Sequence, residues 1–442
     1  MNQVTSLPKY ESYKDSGFYW IGKIPKDWDV SKLGSILKPI SIKNHSDLPL
    51  LSITREKGVI FRDVEDQDEN HNFIPDDLSN YKLLSKGQFG MNKMKAWQGS
   101  YGVSNNTGIV SPAYYIFDFL KPVFPSFFHI AIRSKLYVSF FGSASDGVRV
   151  GQWDLSKSRM KGIPFVLPSL KDQELIAKFV IQKMEKVDQA IAIKEMQIEL
   201  LKERKQILIQ NAVTRGLDPN APMKDSGVEW IGEIPEHWEY EPIKYSLFGV
   251  VDCEHKTAPF VDSKEFFVVR TTNVKDGKLR LEGAKHTSEF GYKEWTRRGV
   301  PKPGDVLLTR EAPAGEACLV PDDIKICLGQ RMVWLKVNRN RLVPEFAIFV
   351  IYSSIGRTYI DFLSAGSTVL HFNMADINNI PIILPPLEEQ IEIVDFVKTE
   401  SAKLDKVIEM QKSQIEKLKE YKATLINSAV TGKIKVPGVA SE

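Results

Sequence analysis

The chain has 442 residues, of which 43% are hydrophobic and 26% are charged, and its formal net charge is +3. This composition is that of an ordinary soluble globular protein, and the length suggests roughly two to four domains. A charge so close to zero excludes a uniformly basic nucleic-acid-binding protein, so a polyanionic partner would have to be bound by local patches.

The cysteines and the apolar stretches indicate the cellular compartment in which the protein is expected. Cys253, Cys318 and Cys327 form no CxxC pair, and the N-terminus lacks the basic and apolar layout of a signal peptide. The most apolar stretch, Leu342 to Ile351, contains Glu345 and is shorter than the roughly 20 residues of a membrane-spanning helix. We therefore expect a cytoplasmic protein with no metal site and no membrane partner.

An internal repeat is the first feature along the chain. Residues 14–28 are KDSGFYWIGKIPKDW and residues 224–238 are KDSGVEWIGEIPEHW. Since a repeat in fixed order indicates duplicated structure, we expect two copies of one unit of roughly 215 residues. We expect Trp20 and Trp230, within these segments, to dock on the long helix of their own half, and the alternative is that they fill a hydrophobic interface.

The repeated segments are followed by two variable regions, about 29–160 and 239–377, whose sequences diverge. Both contain short β-branched or aromatic runs, such as YYIFDFL and RMVWLKV, interrupted by Gly, Pro and Asn. Such runs predict short strands joined by turns, so a mixed α/β globular module is expected in each half.

Two long helices are predicted after the variable regions. No glycine or proline occurs between Pro168 and Gly216, or between Pro386 and Gly432. The preceding IPFVLPSLKDQ and IPIILPPLEEQ predict a strand that leads through a proline turn into each helix. About forty residues at a rise of 1.5 Å give a length of roughly 60 Å.

Each predicted helix carries apolar residues at seven-residue spacing, which need a partner. We expect the two helices to pair as an antiparallel coiled coil with pseudo-twofold symmetry, since repeated surfaces are usually self-complementary. The predicted pairing residues are Val187, Ile191, Ile198, Leu201 and Leu208 in the first helix and Leu404, Ile408, Ile415, Leu418 and Leu425 in the second.

Charge is unevenly distributed. Residues 63–77 contain seven carboxylates and no Lys or Arg, whereas residues 270–298 contain eight Lys and Arg side chains. Phosphate would be repelled by the first stretch and attracted by the second.

With its ordered, doubled set of motifs, the chain resembles the specificity (S) subunits of type I restriction-modification enzymes. The resemblance rests on the DSGxxWIGxIPxxW segments, the stretch GQFGMNKMKAWQGSYGVS at 87–104, the run GIVSPAY at 108–114 and the IPxxLPxLxxQ segments. It covers essentially the whole chain.

The resemblance implies a sequence of segments along the chain. These are a first target-recognition domain with an N-terminal conserved segment (1–165), a first conserved helix that acts as spacer (166–215), a second target-recognition domain (216–382), a second conserved helix (383–432) and a C-terminal tail (433–442).

The resemblance also implies a non-catalytic DNA-binding subunit. Each recognition domain would bind one half of a split double-stranded target, and two modification (methyltransferase) subunits and the restriction/translocase subunits would dock. S-adenosylmethionine would belong to the methyltransferase subunit, and ATP and Mg to the restriction subunit. No cofactor is expected in this chain.

Candidate DNA-binding residues are polar or cationic side chains beside predicted strand ends, because amides and cations bind base edges and phosphates. Lys93, Lys95, Gln98, Ser100 and Tyr101 share one stretch with Trp97, although Trp97 and Tyr101 could equally be core. The other candidates are Arg133, Arg149, Arg270, Asn273, Arg297, Arg298, Arg310, Gln330 and Arg331.

Motifs of two other classes of function are incomplete in this sequence. Residues 111–114, SPAY, are close to the [NDS]PP[YFW] motif of amino-methyltransferases, but no glycine-rich cofactor turn precedes them, so a structural turn is favoured. Residues 252–255, DCEH, have no second ligand cluster at metal spacing, which favours a loop. A self-contained methyltransferase or nuclease, or a coiled-coil adaptor without DNA recognition, are the alternatives.

Overall fold

A computed structural model describes residues 7–63, 74–147, 153–364 and 371–439. The chain divides into unit 1, formed by Met1–Glu195 with Lys412–Glu442, and unit 2, formed by Met196–Gln411. These units cut across the segments expected from the sequence, because each takes part of both long helices.

Unit 1 contains short strands, short helices and the first part of a long helix. Its strands are β1 (Tyr13–Asp15), β2 (Lys23–Pro25), β3 (Asp29–Lys32), β4 (Leu37–Ile40), β5 (Leu51–Thr54), β6 (Gly58–Phe61), β7 (Lys82–Leu84), β8 (Phe89–Met91), β9 (Tyr101–Val103), β10 (Gly108–Val110), β11 (Tyr115–Phe119), β12 (Ser145–Asp146), β13 (Asp154–Leu155) and β14 (Pro164–Leu167). The short helices are α1 (Leu33–Ile36), α2 (Pro125–Ile132), α3 (Lys135–Ser143) and α4 (Lys157–Gly162), with a 3-10 turn at Ala96–Gln98. The long helix α5 (Leu170–Arg215) begins in unit 1, and its residues from Met196 onward belong to unit 2.

Unit 2 is also mixed α/β. Its strands are β15 (Met223–Asp225), β16 (Glu233–Pro235), β17 (Glu239–Pro242), β18 (Leu247–Asp252), β19 (Phe266–Val269), β20 (Val274–Lys275), β21 (Lys278–Leu279), β22 (Lys285–Thr287), β23 (Val306–Thr309), β24 (Ala317–Leu319), β25 (Lys325–Leu328), β26 (Met332–Val337) and β27 (Pro381–Leu384). The short helices are α6 (Glu289–Trp295), α7 (Pro344–Tyr352), α8 (Ser354–Ser364) and α9 (Met374–Asn378), with 3-10 turns at Ile243–Ser246 and Thr271–Asn273. The long helix α10 (Leu387–Val430) begins in unit 2, and its residues from Lys412 onward belong to unit 1.

Each unit is built on a four-stranded antiparallel sheet. The order is β4-β11-β8-β9 in unit 1 and β18-β26-β23-β24 in unit 2. In both, the first strand lies next to the last, and the two middle strands follow. The expected mixed α/β modules are therefore confirmed, and the two sheets share one topology although their sequences diverge.

The repeated IPxxLPxLxxQ segments form the same structure in each unit. β14 pairs with β3, and β27 pairs with β17, immediately before the long helices begin. Gln173, which is buried, accepts a hydrogen bond from the Phe124 backbone N–H and donates one to the Pro168 carbonyl. Gln390 is buried in the same way and accepts from the Val343 N–H. This confirms the predicted strand, proline turn and helix.

The long helices α5 and α10 are confirmed, with 46 and 44 residues. They contact each other within each unit. In unit 1, Lys422 forms an ion pair with Asp188 at 2.6 Å, and in unit 2 Lys205 forms one with Asp405 at 2.7 Å. Exposed pairs of this kind contribute little stability, and apolar burial provides most of it.

The ten predicted pairing residues are all at least partly buried. Val187, Ile198, Ile408, Ile415 and Leu425 are buried, and Ile191, Leu201, Leu208, Leu404 and Leu418 are half-buried. The ends of the helices also enter the hydrophobic cores: Leu425 and Val430 of α10 pack in unit 1, and Ala212 and Val213 of α5 pack in unit 2.

The expectation that Trp20 and Trp230 dock on their own half is wrong. Trp20 is 74% exposed and Trp230 is 42% exposed, whereas Trp28 and Trp238 of the same repeated segments are buried. The hydrophobic anchor of each segment is therefore its second tryptophan.

Among the described residues, no single helix is long and apolar enough to cross a membrane. One pair, Pro344–Tyr352 and Ser354–Leu363, reaches that length and composition only when combined, and it is bent by 58°.

Candidate nucleic-acid interface

In unit 1, one end of the four-stranded sheet gathers three loops. Strands β4 and β8 end at Ile40 and Met91, while β9 and β11 begin at Tyr101 and Tyr115. Met91 is paired with both Tyr101 and Tyr115, so these ends lie side by side. We call this edge, with loops 41–50, 92–100 and 111–114, the loop end of unit 1.

The same edge exists in unit 2. Strands β18 and β23 end at Asp252 and Thr309, while β24 and β26 begin at Ala317 and Met332. Thr309 is paired with Met332, and Asp252 with Val333. Loops 253–265, 310–316 and 329–331 therefore leave the sheet together and form the loop end of unit 2.

A cluster of four lysines, Lys43, Lys82, Lys93 and Lys157, lies at the loop end of unit 1. Partial burial, followed by the positive charges of Lys43, Lys157 and Lys93, lowers the pKa of Lys82. Three cations that act on the Lys82 ammonium give this end of the sheet a local positive charge, which favours phosphate. We call these residues the lysine cluster.

Hydrogen bonds and ring contacts hold the lysine cluster in place. Lys82 Nζ donates to the Tyr114 carbonyl at 2.7 Å, and Lys157 Nζ lies 5.5 Å from the centre of the Tyr115 ring. Lys93 Nζ lies 2.9 Å from Asp154 Oδ2, and this hydrogen bond raises the pKa of Lys93. The cluster is therefore anchored to the loops of the sheet, with Lys43 and Lys157 exposed.

The predicted candidates in loop 92–100 divide into surface and interior residues. Lys95 is exposed and Gln98 is half-exposed, beside Trp97, whose ring packs on Trp153 at 5.1 Å. Ser100 and Tyr101 are buried, with relative exposures of 2% and 0%. The expected DNA contact by Ser100 and Tyr101 is corrected, because Tyr101 packs against Phe89 and Phe141 in the core.

Arg133 is a structural clamp. Its Nη1 donates to the Tyr101 carbonyl at 2.6 Å, and its Nη2 donates to the carbonyls of Arg55 and Glu56 at 2.7 and 2.9 Å. A guanidinium saturated by backbone oxygens has few donors left for a phosphate. The expected role as a phosphate clamp is therefore corrected, and Arg133 ties the turn between β5 and β6 to the start of β9. Arg149 lies outside the described residues.

At the loop end of unit 2, a charged network surrounds Arg310, one of the predicted candidates. Arg310 is 7% exposed, and its Nη1 donates to Asp252 Oδ2 at 2.7 Å. Its Nη2 lies 3.2 Å from His371 Nε2, and His371 Nδ1 lies 3.1 Å from Glu311 Oε1. Because a guanidinium only donates, His371 Nε2 must accept and His371 Nδ1 must donate to Glu311.

This network changes the role expected for Arg310. Its Nε also donates to the Phe372 carbonyl at 2.9 Å, so all three of its nitrogens are engaged. The expected direct DNA contact is corrected: Arg310 is a buried organising residue that holds Asp252 and His371 in place.

Gln330 and Arg331 remain at the surface of this network. Both are exposed, and both line two adjoining cavities of about 200 and 240 Å³. Arg331 has a φ of 69°, which turns the chain sharply before β26, and its Nε lies 3.3 Å from Glu311 Oε2. Gln330 Nε2 donates to the His255 carbonyl at 3.2 Å. An amide, a guanidinium and a carboxylate thus converge at one opening.

Arg270 lines the larger cavity, and Asn273 lies beneath it. Asn273 is fully buried, and its Oδ1 accepts from the Arg270 N–H while its Nδ2 donates to the Arg280 carbonyl. The expected DNA contact by Asn273 is therefore corrected, because its amide closes a backbone turn. Arg270 Nη2 donates to the Gly283 carbonyl at 2.8 Å, and the residue is half-exposed.

Arg297 and Arg298 are exposed and share one carboxylate. Each approaches Glu254 Oε1 at 3.6 Å, and Arg298 Nη1 also donates to the Asp252 carbonyl at 3.1 Å. The structure brings Arg298 to the loop end of unit 2, where it meets residues 252–254. The loop interpretation of residues 252–255 fits this arrangement.

Sequence reasoning missed several residues of both loop ends. Lys43, Lys82 and Lys157 come from a loop, a strand and a helix that are far apart in sequence, so no local pattern could indicate them. Glu311 and His371 were missed for the same reason. The one available signal was the position of each residue next to the end of a strand.

Comparison with known proteins shows which proteins this chain is similar to. Residues 285–420 match the family model described as the type I restriction modification DNA specificity domain. The chain is 25% identical, over 96% of its length and 98% of the relative, to the putative type I restriction enzyme MjaX specificity subunit of Methanocaldococcus jannaschii.

Solved structures share the fold. One comes from work on complex assembly and conformational transition of the type I R-M system; its TM-score is 0.69 at 15% identity, and 92% of this chain and 98% of that chain are covered. Another is the HsdS subunit of Thermoanaerobacter tengcongensis, with a TM-score of 0.53 at 16% identity and coverage of 92% and 98%.

The fold and these comparisons agree on one class of protein. Along 96% of its length the chain is similar to specificity subunits of type I restriction-modification systems, and its residues 285–420 are similar to their DNA specificity domain.

Proposed function

We propose that this chain recognises a bipartite double-stranded DNA target, with the loop end of each unit bound to one half-site. The observation that carries the proposal is that two sheets of identical strand order present unlike side chains at the same edge. A shared scaffold with different contact residues is expected where two different sequences are recognised by one mechanism.

The chemistry of unit 1 supports phosphate binding next to a base-contacting loop. The lysine cluster supplies several cations within one surface, and Lys95 and Gln98 lie on the adjoining loop. Lysines position a protein on the DNA backbone, and a glutamine amide can pair with adenine in the major groove.

The chemistry of unit 2 is different. Gln330, Arg331 and Glu311 combine an amide, a guanidinium and a carboxylate around one opening. These groups suit adenine, guanine and the cytosine amino group respectively. In this proposal, Arg270, Arg297 and Arg298 bind the adjoining DNA backbone.

The long helices fit the role of spacer and docking surface. In this proposal α5 and α10 form an antiparallel coiled coil with pseudo-twofold symmetry that sets the length of the unread gap. In unit 2, their outer faces expose Met196, Leu200 and Ile207 on α5 and Val407 and Met410 on α10. Apolar residues in such a row mark a protein interface.

Partner subunits supply the catalysis. Two modification subunits, with S-adenosylmethionine, would dock on the chain, and restriction/translocase subunits would bring ATP and Mg. The complex would act in the cytoplasm.

The test is methylation-sensitive long-read sequencing of DNA from cells that express the chain with its modification subunit. We expect a split motif around a fixed unread gap, absent without the chain. The double variant Lys82→Gln/Lys157→Gln should weaken methylation through the first half-site, and Arg331→Gln should change only the second half-site. Lys26→Gln, an exposed lysine between β2 and β3, is the control.

Either of two results would contradict the proposal. One is a continuous motif without a gap, and the other is a change in both half-sites caused by Arg331→Gln. Binding measurements add a second readout, because each lost phosphate contact should reduce the slope of log affinity against log salt by about 0.9.

A further inference from the structure

Two exposed tryptophans occupy equivalent positions in the repeated loops between β1 and β2 and between β15 and β16. Trp20 is 74% exposed and Trp230 is 42% exposed. The Trp20 ring meets Tyr19 at 5.7 Å between ring centres, but the residue equivalent to Tyr19 in the second loop is Glu229. The repeated aromatic feature is therefore the tryptophan alone.

The two loops are closed by equivalent hydrogen bonds. In the first, Asp15 Oδ1 accepts from the Gly17 N–H at 2.8 Å, and in the second Asp225 Oδ1 accepts from the Gly227 N–H at 2.9 Å. The backbone of Ser16 is bonded to Gly22 across the first loop. Each tryptophan is consequently presented by a preformed turn, at little entropic cost on binding.

The fold explains why most residues of these loops are the same in both halves. Gly17 and Gly22 adopt positive φ values of 76° and 66°, and Gly227 and Gly232 adopt 78° and 74°, which glycine tolerates best. The equivalent residues Ile24 and Ile234, Pro25 and Pro235, and Trp28 and Trp238 are buried.

Trp20 and Trp230 have no such reason. No hydrogen bond of either indole is found among the described residues, and both rings face solvent. A large apolar side chain that is exposed at the same position in both halves, outside the hydrophobic cores, indicates an external contact.

The contact must be the same in both halves. The loop ends of the two units differ, so a shared tryptophan does not distinguish two half-sites. The carboxylates Asp225, Glu229 and Glu233 surround Trp230 in sequence and disfavour a DNA backbone. What remains is a protein partner, present in two copies, with an apolar pocket rimmed by polar or basic groups.

We propose that Trp20 and Trp230 are the anchors by which each unit holds one copy of the modification subunit. This inference rests on the proposed function, in which two such subunits dock on one chain. Exposed tryptophans on rigid turns are typical of the few residues that dominate an interface.

The experiment is native mass spectrometry of the full chain titrated with purified modification subunit. Trp20→Ala and Trp230→Ala are compared singly and together, with Trp20→Phe/Trp230→Phe as the conservative pair. Phe61→Ala in unit 1 and Phe248→Ala in unit 2 are matched controls, because both phenylalanines are exposed aromatics. Phe248 is also not repeated in the first half, where Lys38 occupies the equivalent position.

We expect each single variant to lose one of two bound subunits at concentrations that saturate the wild-type chain, with affinity at that position about thirtyfold weaker or more. The double alanine variant should lose both, the phenylalanine pair should retain partial binding, and the control variants should bind two.

Three results would overturn the inference, and they are distinguishable. Two subunits bound to the double alanine variant at wild-type affinity would refute the anchor while leaving the proposed function intact. Normal subunit binding with weakened DNA binding would assign the loops to DNA. A wild-type chain that binds no modification subunit would refute the docking in the proposed function itself, and the inference with it.

Discussion

Acidification is expected to loosen the loop end of unit 1 through His129. The Nδ1 of His129 accepts the Val103 N–H of β9 at 3.2 Å, and a Cβ at Gly102 would lie 2.9 Å from the ring. Burial, together with the neighbouring positive charge of Arg133, lowers the pKa of His129 to about 4. The folded state therefore holds a neutral imidazole.

The direction and the size of the pH effect on folding stability follow from this pKa. Between pH 6.5 and about 4, the unfolded state binds the proton and the folded state does not, so stability rises with pH and is fully present only above 6.5. Between pH 6.5 and about 4, the folding stability lost through His129 is at most about 3 kcal/mol. At pH 5.5 the loss is about 1.4 kcal/mol, or a tenfold increase in opening.

Hydrogen exchange followed by mass spectrometry, corrected for the intrinsic effect of pH, measures this opening. Peptides that cover β9 and α2 should open about tenfold more at pH 5.5 than at pH 7.5. His129→Gln keeps an acceptor for Val103 and removes the titration, so its corrected exchange should be the same at both pH values. Equal pH dependence in the wild type and in His129→Gln would refute the reasoning.

Further predictions concern the buried hydrogen bonds and ion pairs of both units. Gln390→Leu should lower the free energy of unfolding by about 1–3 kcal/mol in denaturant melts, because it leaves buried backbone groups unpaired. The control Gln197→Leu, at an exposed position, should have little effect, and equal losses of stability in the two variants would contradict the prediction. Asp252→Asn should destabilise unit 2 by about 2–3 kcal/mol in melts and impair only the second half-site in methylation mapping, since it leaves Arg310 without its carboxylate. The control Glu265→Gln, which removes an exposed ion pair, should cost under about 1 kcal/mol. An unchanged second half-site in Asp252→Asn would contradict this prediction. Arg133→Lys should cost about 2 kcal/mol or more and increase proteolysis near residues 55–56, and unchanged proteolysis would refute the clamp.

The sequence alone determined the repeated framework. The long helices, the strand and proline turn before each of them, and the duplication could be predicted, because apolar periodicity, glycine and proline act over a few residues. The resemblance carried by the same repeated segments indicated the class of protein, which the comparisons support.

Only the tertiary structure decided which polar residues form the loop ends. Arg133, Asn273 and Arg310 have the residue types of DNA contacts, but their donors bind backbone carbonyls or, for Arg310, the partly buried carboxylate of Asp252. The lysine cluster is assembled from distant elements, and no local pattern marks it. Whether a cation faces solvent or closes the fold depends on partners that are distant in sequence, and folding alone brings those partners together.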